Sequence, residues 1–448
     1  MSEGGALISV LGTGTGTGTA TGPPARSALY GATLVAGARR HLEAAGVPPD
    51  AERLVLGPLA PALETIAAHL AAPLGMPADT PASAARRRVV VLASGDPGFF
   101  GIVRALAARF GPEALSVEPS APSVAVAFAR VGLPWDDAVV VSAHGRDART
   151  AVNVCRAHPK TAVLTGPGAG PAELGAALAR SGLTRTLVVA AALGSAEESV
   201  RRLTPVEAAE ADWPEPVSVV LCLDESRAVA PARRTVAGPP GPAGPTGSPG
   251  WALPDEEFAH RDSMLTKYEV RALALARLGP RTGDLVWDVG AGSGSVGVEC
   301  ARLGAAVVAV EKTGEGAARV RANAAAHGVD IQVVHGTAPA ALDGLPEPDS
   351  VFVGGGGRDL PALVTDCARR ARRRVVVTLA ALDRVPAVRA ALSDEGFATD
   401  GVLLQSARLA PLPGEVTRLA AINPVFVLWG TRPSSDSASD SLLQGALS

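Results

Sequence analysis

Lysine and cysteine are scarce in these 448 residues, and a membrane-length apolar run is missing. Lysine stands only at Lys160, Lys267 and Lys312, while arginine and alanine abound, a pattern that reads as coding bias. With a net charge of −3 and a pI near 6.2, the chain carries no electrostatic footprint for nucleic acid. Cys155, Cys222, Cys300 and Cys367 are scattered with no C-x-x-C pair, so no metal site and no disulfide framework is expected. The opening MSEGGALISV lacks a basic n-region, and a cytoplasmic protein without a membrane partner is the expectation. What remains is ample for cores: 47% hydrophobic against 19% charged residues, over a length that calls for two or three domains.

The most informative stretch is Asp284 to Glu311, DLVWDVGAGSGSVGVECARLGAAVVAVE. It reads as a buried strand, a glycine turn, a helix from about Ser295 to Leu303, a second strand from Ala306 to Val310, and an acid. Gly290, Gly292 and Gly294 let a ligand approach the backbone at the helix N-terminus. Glu311 stands where a carboxylate takes both hydroxyls of a ribose. Gly292-x-Gly294-x-x-Gly297 also satisfies the dinucleotide pattern, which keeps a nicotinamide enzyme open. Against it, Asp288 before the first glycine suits a sulfonium amino acid and would repel a pyrophosphate. The spacing Asp288-x-Gly290-x-Gly292-x-Gly294 resembles the first motif of class I S-adenosylmethionine methyltransferases.

The preceding half alternates strands and helices, which points to an α/β architecture. Leu7–Leu11 leads into GTGTGTGTATG, and Val89–Leu92 runs into Ala93-Ser94-Gly95-Asp96-Pro97-Gly98. Each is a small-residue turn at a strand end, the place where such sheets bind ligands. Residues 75–88 read as a surface insertion, and His41 as a solvated side chain. From Ala228 to Ala252 the composition becomes Gly/Pro-rich, a semi-rigid spacer. Beyond it, Thr266 and Glu269 have capping-box spacing at the start of a helix, with Lys267 and Arg271 expected to face water. Strands are expected at Ile331–Val334, Asp349–Val353, Arg373–Leu379, Gly401–Ala407 and Pro424–Trp429. The glycines 354–357 offer floor space for a flat substrate, and the tail from about 432 reads as disordered.

GDPGFFG (95–101), PSAPS (119–123), SAHGR (142–146) and TGP (165–167), after an opening G-x-G loop, resemble the tetrapyrrole methylases. The likeness is to the half that methylates carbon 5 of a corrin precursor. It implies two α/β lobes with S-adenosyl-L-methionine between them, met by Gly12, Gly14, Gly95, Asp96, Pro97, Ser123, Thr165 and Gly166. The chain departs from that pattern in its threonine-glycine repeat. PDEEF, TKYEVRA, WDVGAGSGSVGVECA, VEK, GTAPAAL, PDSVFVGGGG and INPVFVLWG resemble the carbon-15 methyltransferases and decarboxylases of cobalamin biosynthesis. That likeness places donor contacts on Thr266, Gly290, Ala291, Gly292, Ser293, Gly294, Glu311 and Ala338.

The resemblances together imply a tetrapyrrole methylase domain over 6–227, a linker over 228–252 and a class I methyltransferase domain over 253–431. They imply methylation of a reduced corrin precursor at C-5 and C-15, with loss of the ring-C acetate carboxyl. The tetrapyrrole is the expected small-molecule partner of a homo-oligomer, and Gly355, Gly356, Arg358, Arg408 and Arg418 are substrate candidates. No catalytic side chain stands out, as expected where orientation does most of the work. Two alternatives stay open: a nicotinamide oxidoreductase on Gly292–Gly297, and a tetrapyrrole-binding protein with an inactive N-terminal half.

Overall fold

The computed structural model describes residues 7–14, 22–73, 87–144, 147–213, 218–229, 238, 250–260, 265–355 and 357–433. Most of the threonine-glycine repeat, the 75–88 insertion and the linker, together with Gly356 and the tail, lie outside the described residues.

The first sheet is wholly parallel, in the order β3-β2-β4-β1-β5. Its strands are β1 (Ile8–Thr13), β2 (Leu34–Gly37), β3 (Glu52–Val55), β4 (Val89–Ser94) and β5 (Leu115–Glu118). Helices α1 (Pro23–Tyr30), α2 (Arg39–Ala44), α3 (Leu59–Ala71) and α4 (Val103–Phe110) connect them. The central strands ISVLGT and VVVLAS are continuous apolar runs because both faces are covered, by Leu29 and Leu42 on one and Ile66 and Leu106 on the other. His41 is buried rather than solvated: it packs under β4, with its Nε2 3.0 Å from the Ser94 hydroxyl.

Helix α5 (Ser123–Val131) carries the chain into a second, mixed sheet, order β6-β7-β10-β8-β9. Its strands are β6 (Val139–Ser142), β7 (Lys160–Leu164), β8 (Thr186–Ala191), β9 (Ser199–Leu203) and β10 (Ser218–Leu223). Helices α6 (Ala148–Ala157), α7 (Pro171–Ala179) and α8 (Pro205–Glu210) pack on it. Val124, Ala127 and Phe128 of α5 join Ala162, Val188 and Leu221 in one core, so this helix packs on the second lobe while its start at Ser123 lies beside Gly95 of the first.

The third sheet has seven strands in the order β13-β12-β11-β14-β15-β19-β16. These are β11 (Leu285–Val289), β12 (Ala306–Glu311), β13 (Gln332–His335), β14 (Ser350–Gly354), β15 (Arg374–Leu379), β16 (Ala398–Leu404) and β19 (Val425–Thr431). Helices α9 (Tyr268–Leu278), α10 (Ser295–Arg302), α11 (Gly314–Ala326), α12 (Leu360–Arg370) and α13 (Val385–Asp394) cover both faces. All strands up to β15 are parallel, and β19 inserts antiparallel between β15 and β16. A hairpin, β17 (Ala407–Leu412) with β18 (Val416–Ala421), stands apart as its own sheet and exposes Leu409 and Leu419.

The halves meet at the amino-terminal edge of this sheet. Arg149 on α6 donates to both carboxylate oxygens of Asp349, just before β14. Arg185 and Arg227 both reach Asp330 before β13, at 2.8 and 2.5 Å. Asn153 Nδ2 donates to the Gly283 carbonyl, two residues before β11. The Gly290–Gly294 loop lies at the other end of β11, about 17 Å away at ~3.3 Å per residue.

Candidate functional site

Strand order decides where a ligand can sit. β11 and β14 are neighbours whose chain connections run to opposite sides, and such a switch point opens a crevice at the carboxyl ends of the strands. Gly290 follows β11 with φ +74°, and an added Cβ would sit 2.9 Å from the carbonyl oxygen of Gly354 at the end of β14. Two backbones therefore close to a distance that only glycine permits. Above them opens a cavity of about 500 Å³. Thr266, Gly290, Ala291, Gly292, Ser293 and Gly355 all line it, so the structure brings six of the residues singled out in the sequence to one place. Gly294 closes the loop as the N-cap of α10.

The acids beneath the loop are fixed by backbone amides. Glu311 accepts from Gly292 N–H at 3.0 Å through one oxygen, and from Thr313 N–H and hydroxyl through the other. Burial alone would raise its pKa, but those amides hold it below the ordinary glutamate value. Asp288 is the opposite case. Its burial pushes the carboxyl up to about 7, only partly offset by the Gly297 N–H that donates to Oδ2 at 2.9 Å; nearby Glu311 adds to the rise. Its Oδ1 is buried and has no hydrogen-bond partner among the described residues. The close glycine crossing and the ionised Glu311 carboxylate held by the Gly292 amide are what a sulfonium nucleoside over the loop would meet, so the residues present fit such a donor.

Glu311 and Ala338 stand at and beyond the ends of β12 and β13, outside the cavity lining. Arg358, Arg408 and Arg418 do not line it either. Arg408 reaches from β17 to Asp255 at 3.3 Å and Glu269 at 3.4 Å. Arg418 is exposed on β18, and Arg358 is exposed just past Gly355. Thr266 forms no capping box, because α9 begins at Tyr268 with Lys267 as an uncapped N-cap residue. Arg271, expected in water, is wholly buried: its guanidinium binds Glu299 at 2.7 Å, Asp255 at 3.3 Å, and the Thr266 and Leu253 carbonyls. Thr378, Ser406 and Asn423 complete the polar wall and went unremarked in the sequence, although Asn423 lies in the INPVFVLWG segment.

In the first lobe the same carboxyl-edge logic holds. Gly12 on β1 lies so close to the Gly95 carbonyl and the Ser120 amide that no Cβ fits between them. Ser120 N–H donates to Gly95 O at 3.2 Å, and Gly95 N–H to Thr13 O at 2.9 Å. The ends of β1, β4 and β5 are thus joined, with Gly14 following β1. Asp96 Oδ1 accepts from the Gly98 amide at 2.8 Å, Pro97 O accepts from Val103 at the start of α4, and Ser123 opens α5 beside Gly95. Thr165 and Gly166 follow β7 in the second lobe, where Gly166 packs against His144. Among the described residues no group of three or more metal-binding side chains comes together, and no helix is long and apolar enough to cross a membrane.

Comparison with known proteins divides the chain the same way. Residues 8–209 match the family of Tetrapyrrole (Corrin/Porphyrin) Methylases, and residues 256–430 match the Precorrin methyltransferase domain. A precorrin-6Y C(5,15)-methyltransferase [decarboxylating] from Sinorhizobium sp is 35% identical over 79% of this chain and 79% of its own. A protein of the same description from Mycobacterium tuberculosis is 34% identical over 81% of this chain and 83% of its own. A probable cobalt-precorrin-6B C(15)-methyltransferase (decarboxylating) from Pyrobaculum calidifontis is 36% identical over 41% of this chain and 96% of its own. With both halves in this order and one relative matched along four-fifths of each chain, the protein belongs to the decarboxylating precorrin-6Y C(5,15)-methyltransferase family.

Proposed function

We propose that the chain methylates precorrin-6Y at C-5 and C-15 and removes the ring-C acetate carboxyl, with C-5 handled by residues 6–227 and C-15 with decarboxylation by 253–431. S-adenosyl-L-methionine, the methyl donor of this family, supplies an electrophilic methyl. The observation that carries the reading is the glycine crossing of Gly290 over Gly354 at the switch point, which makes a donor cradle and acceptor space continuous in one cavity.

The protein's part is largely geometric. A meso carbon of a reduced tetrapyrrole is enamine-like and already nucleophilic, so the chain must hold it in line and exclude water. Gly290–Ser293 and Thr266 are the donor side; Thr378, Ser406 and Asn423, with Leu404, Ile422 and Val425, are the acceptor side. Decarboxylation needs the acetate carboxylate in a place where no cation stabilises it, while the protonated ring accepts the electron pair of the breaking C–C bond and is neutralised by it. The apolar strip of Leu404, Ile422 and Val425 provides such a place. Family membership removes the nicotinamide alternative.

Mass spectrometry of reduced precorrin after incubation with the protein and S-adenosyl-L-methionine tests this. Two methyls gained and one carboxyl lost is the expected product. One methyl gained with the carboxyl lost would leave the N-terminal half a binding module. An unchanged tetrapyrrole with donor bound would overturn the substrate assignment.

A further inference from the structure

Among the described residues that line the C-terminal cavity, Lys267 alone carries a charge. We propose that its ammonium is the grip for one rim carboxylate of the tetrapyrrole. This inference rests on the substrate class assigned above and extends it to a named contact.

Three observations carry it. The first is that the ammonium has hydrogen-bonding capacity left over. Its nearest anion is Asp255 Oδ2 at 3.9 Å, beyond hydrogen-bond reach, and that same carboxylate already takes Arg271 and Arg408, each at 3.3 Å. Among the described residues Lys267 makes no side-chain hydrogen bond. A carboxylate entering the cavity would meet a cation held nearby but not yet engaged.

The second is that the base of the side chain is fixed although its tip is not. Arg271 N–H donates to the Lys267 carbonyl at 2.8 Å, and Arg271 Nη1 to the Thr266 carbonyl at 2.7 Å. Arg271 is anchored in turn on buried Glu299, whose carboxylate also takes the Ala252 and Leu253 amides. The peptide that presents Lys267 is thereby tied to the helix that follows the glycine loop. A flexible four-carbon stem on such a base suits a point charge that must swing from Asp255 to a ligand, where a guanidinium fork would lock onto Asp255.

The third is the neutrality of the rest of the wall. Thr378, Ser406 and Asn423 are uncharged, and Leu265, Leu404, Ile422 and Val425 are apolar. A substrate bearing acetates and propionates around its rim meets, among the described residues of the wall, one cation. The carboxylate held there is stabilised as an anion and so is kept. The acetate that leaves as carbon dioxide is one that Lys267 does not touch. One contact thus sets the ring's rotation in the site and which carboxylate is spared.

The experiment uses the full chain, with Lys267→Met and Lys267→Arg beside the unsubstituted protein. Three readouts are taken: reduced-precorrin affinity by absorbance titration, steady-state formation of the C-15 product, and S-adenosylhomocysteine affinity by calorimetry. Lys267→Met is expected to weaken tetrapyrrole binding and raise KM about tenfold, the loss of one charge-assisted hydrogen bond. Its kcat and S-adenosylhomocysteine affinity should stay within about threefold, and the salt dependence of tetrapyrrole binding should flatten. Lys267→Arg should recover most of the affinity. Unchanged tetrapyrrole affinity in Lys267→Met overturns the proposal, as does a parallel loss of S-adenosylhomocysteine affinity. If the unsubstituted protein binds reduced precorrin without turning it over, the reaction assignment fails while the titration still decides the role of Lys267.

Discussion

The two glycine cradles solve one problem in different ways. In the C-terminal half the crossing strands belong to a single sheet, and the start of α9, the loop after β11 and the strand ends around β19 wall a single cavity. In the N-terminal half Gly12, Gly95 and Ser120 converge on one lobe, while Thr165 and Gly166 come from another sheet joined through α5. The first cradle is fixed by one sheet with a core on each face; the second depends on how two sheets are set against each other. Beneath the first lie two buried acids, Asp288 and Glu311, whereas the acid in the second, Asp96, is only half-buried. Closeness of backbone is therefore common to both, and the charge arrangement is not.

The comparison breaks most sharply by filling each crossing. Gly290→Val puts a branched side chain at a positive φ and 2.9 Å from a carbonyl oxygen. C-15 methylation and decarboxylation should fall by roughly a hundredfold or more, as expected when reacting groups are displaced by an ångström. Gly12→Val, where a Cβ has no room between Gly95 and Ser120, should abolish C-5 methylation instead and leave C-15 chemistry intact. Product analysis by mass spectrometry checks both, and a C-15 loss in folded Gly12→Val would contradict the separation.

Next in size is Arg271→Met. It strips a buried cation from Glu299 and Asp255, a change that typically costs about 3–5 kcal/mol. Because Arg271 belongs to the C-terminal half alone, denaturant unfolding should gain an early transition with the N-terminal signal retained. A midpoint within about 1 kcal/mol of the unsubstituted protein would show that the network is incidental.

The smallest effect is a slope with pH. Asp288 is raised from 3.8 to about 7 by burial. Between those values the unfolded chain has released a proton that the folded chain retains, so donor-free stability falls as pH rises from about 4 to 7. Asp288→Asn should flatten that slope, measured as unfolding free energy across the range. An unaltered slope would place the titration elsewhere.

How much of this was legible follows the range of the interactions. The β11–loop–α10–β12 unit could be read directly, since an apolar run, glycine spacing and a terminal acid are all local. The turns after β1 and β4 were readable for the same reason. Arg271 was not, because its partners Glu299 and Asp255 lie 28 and 16 residues away and nothing beside it announces burial. The Thr266–Glu269 spacing misled: the chain is extended at Lys267, and the Thr266 carbonyl is held by Arg271. The β17–β18 hairpin escaped too, since both strands are largely exposed and show no alternation between a buried and a solvated face. Arg408, a candidate for a substrate carboxylate, has the chain's own Asp255 and Glu269 as its ion-pair partners, both remote in sequence.

The central claim is that one chain holds two separate donor sites, and calorimetric titration with S-adenosylhomocysteine tests it without requiring turnover. The account predicts two equivalents bound per chain, falling to one in Gly290→Val and to one in Gly12→Val. A single equivalent in the unsubstituted protein, or loss of both in either folded variant, would contradict it.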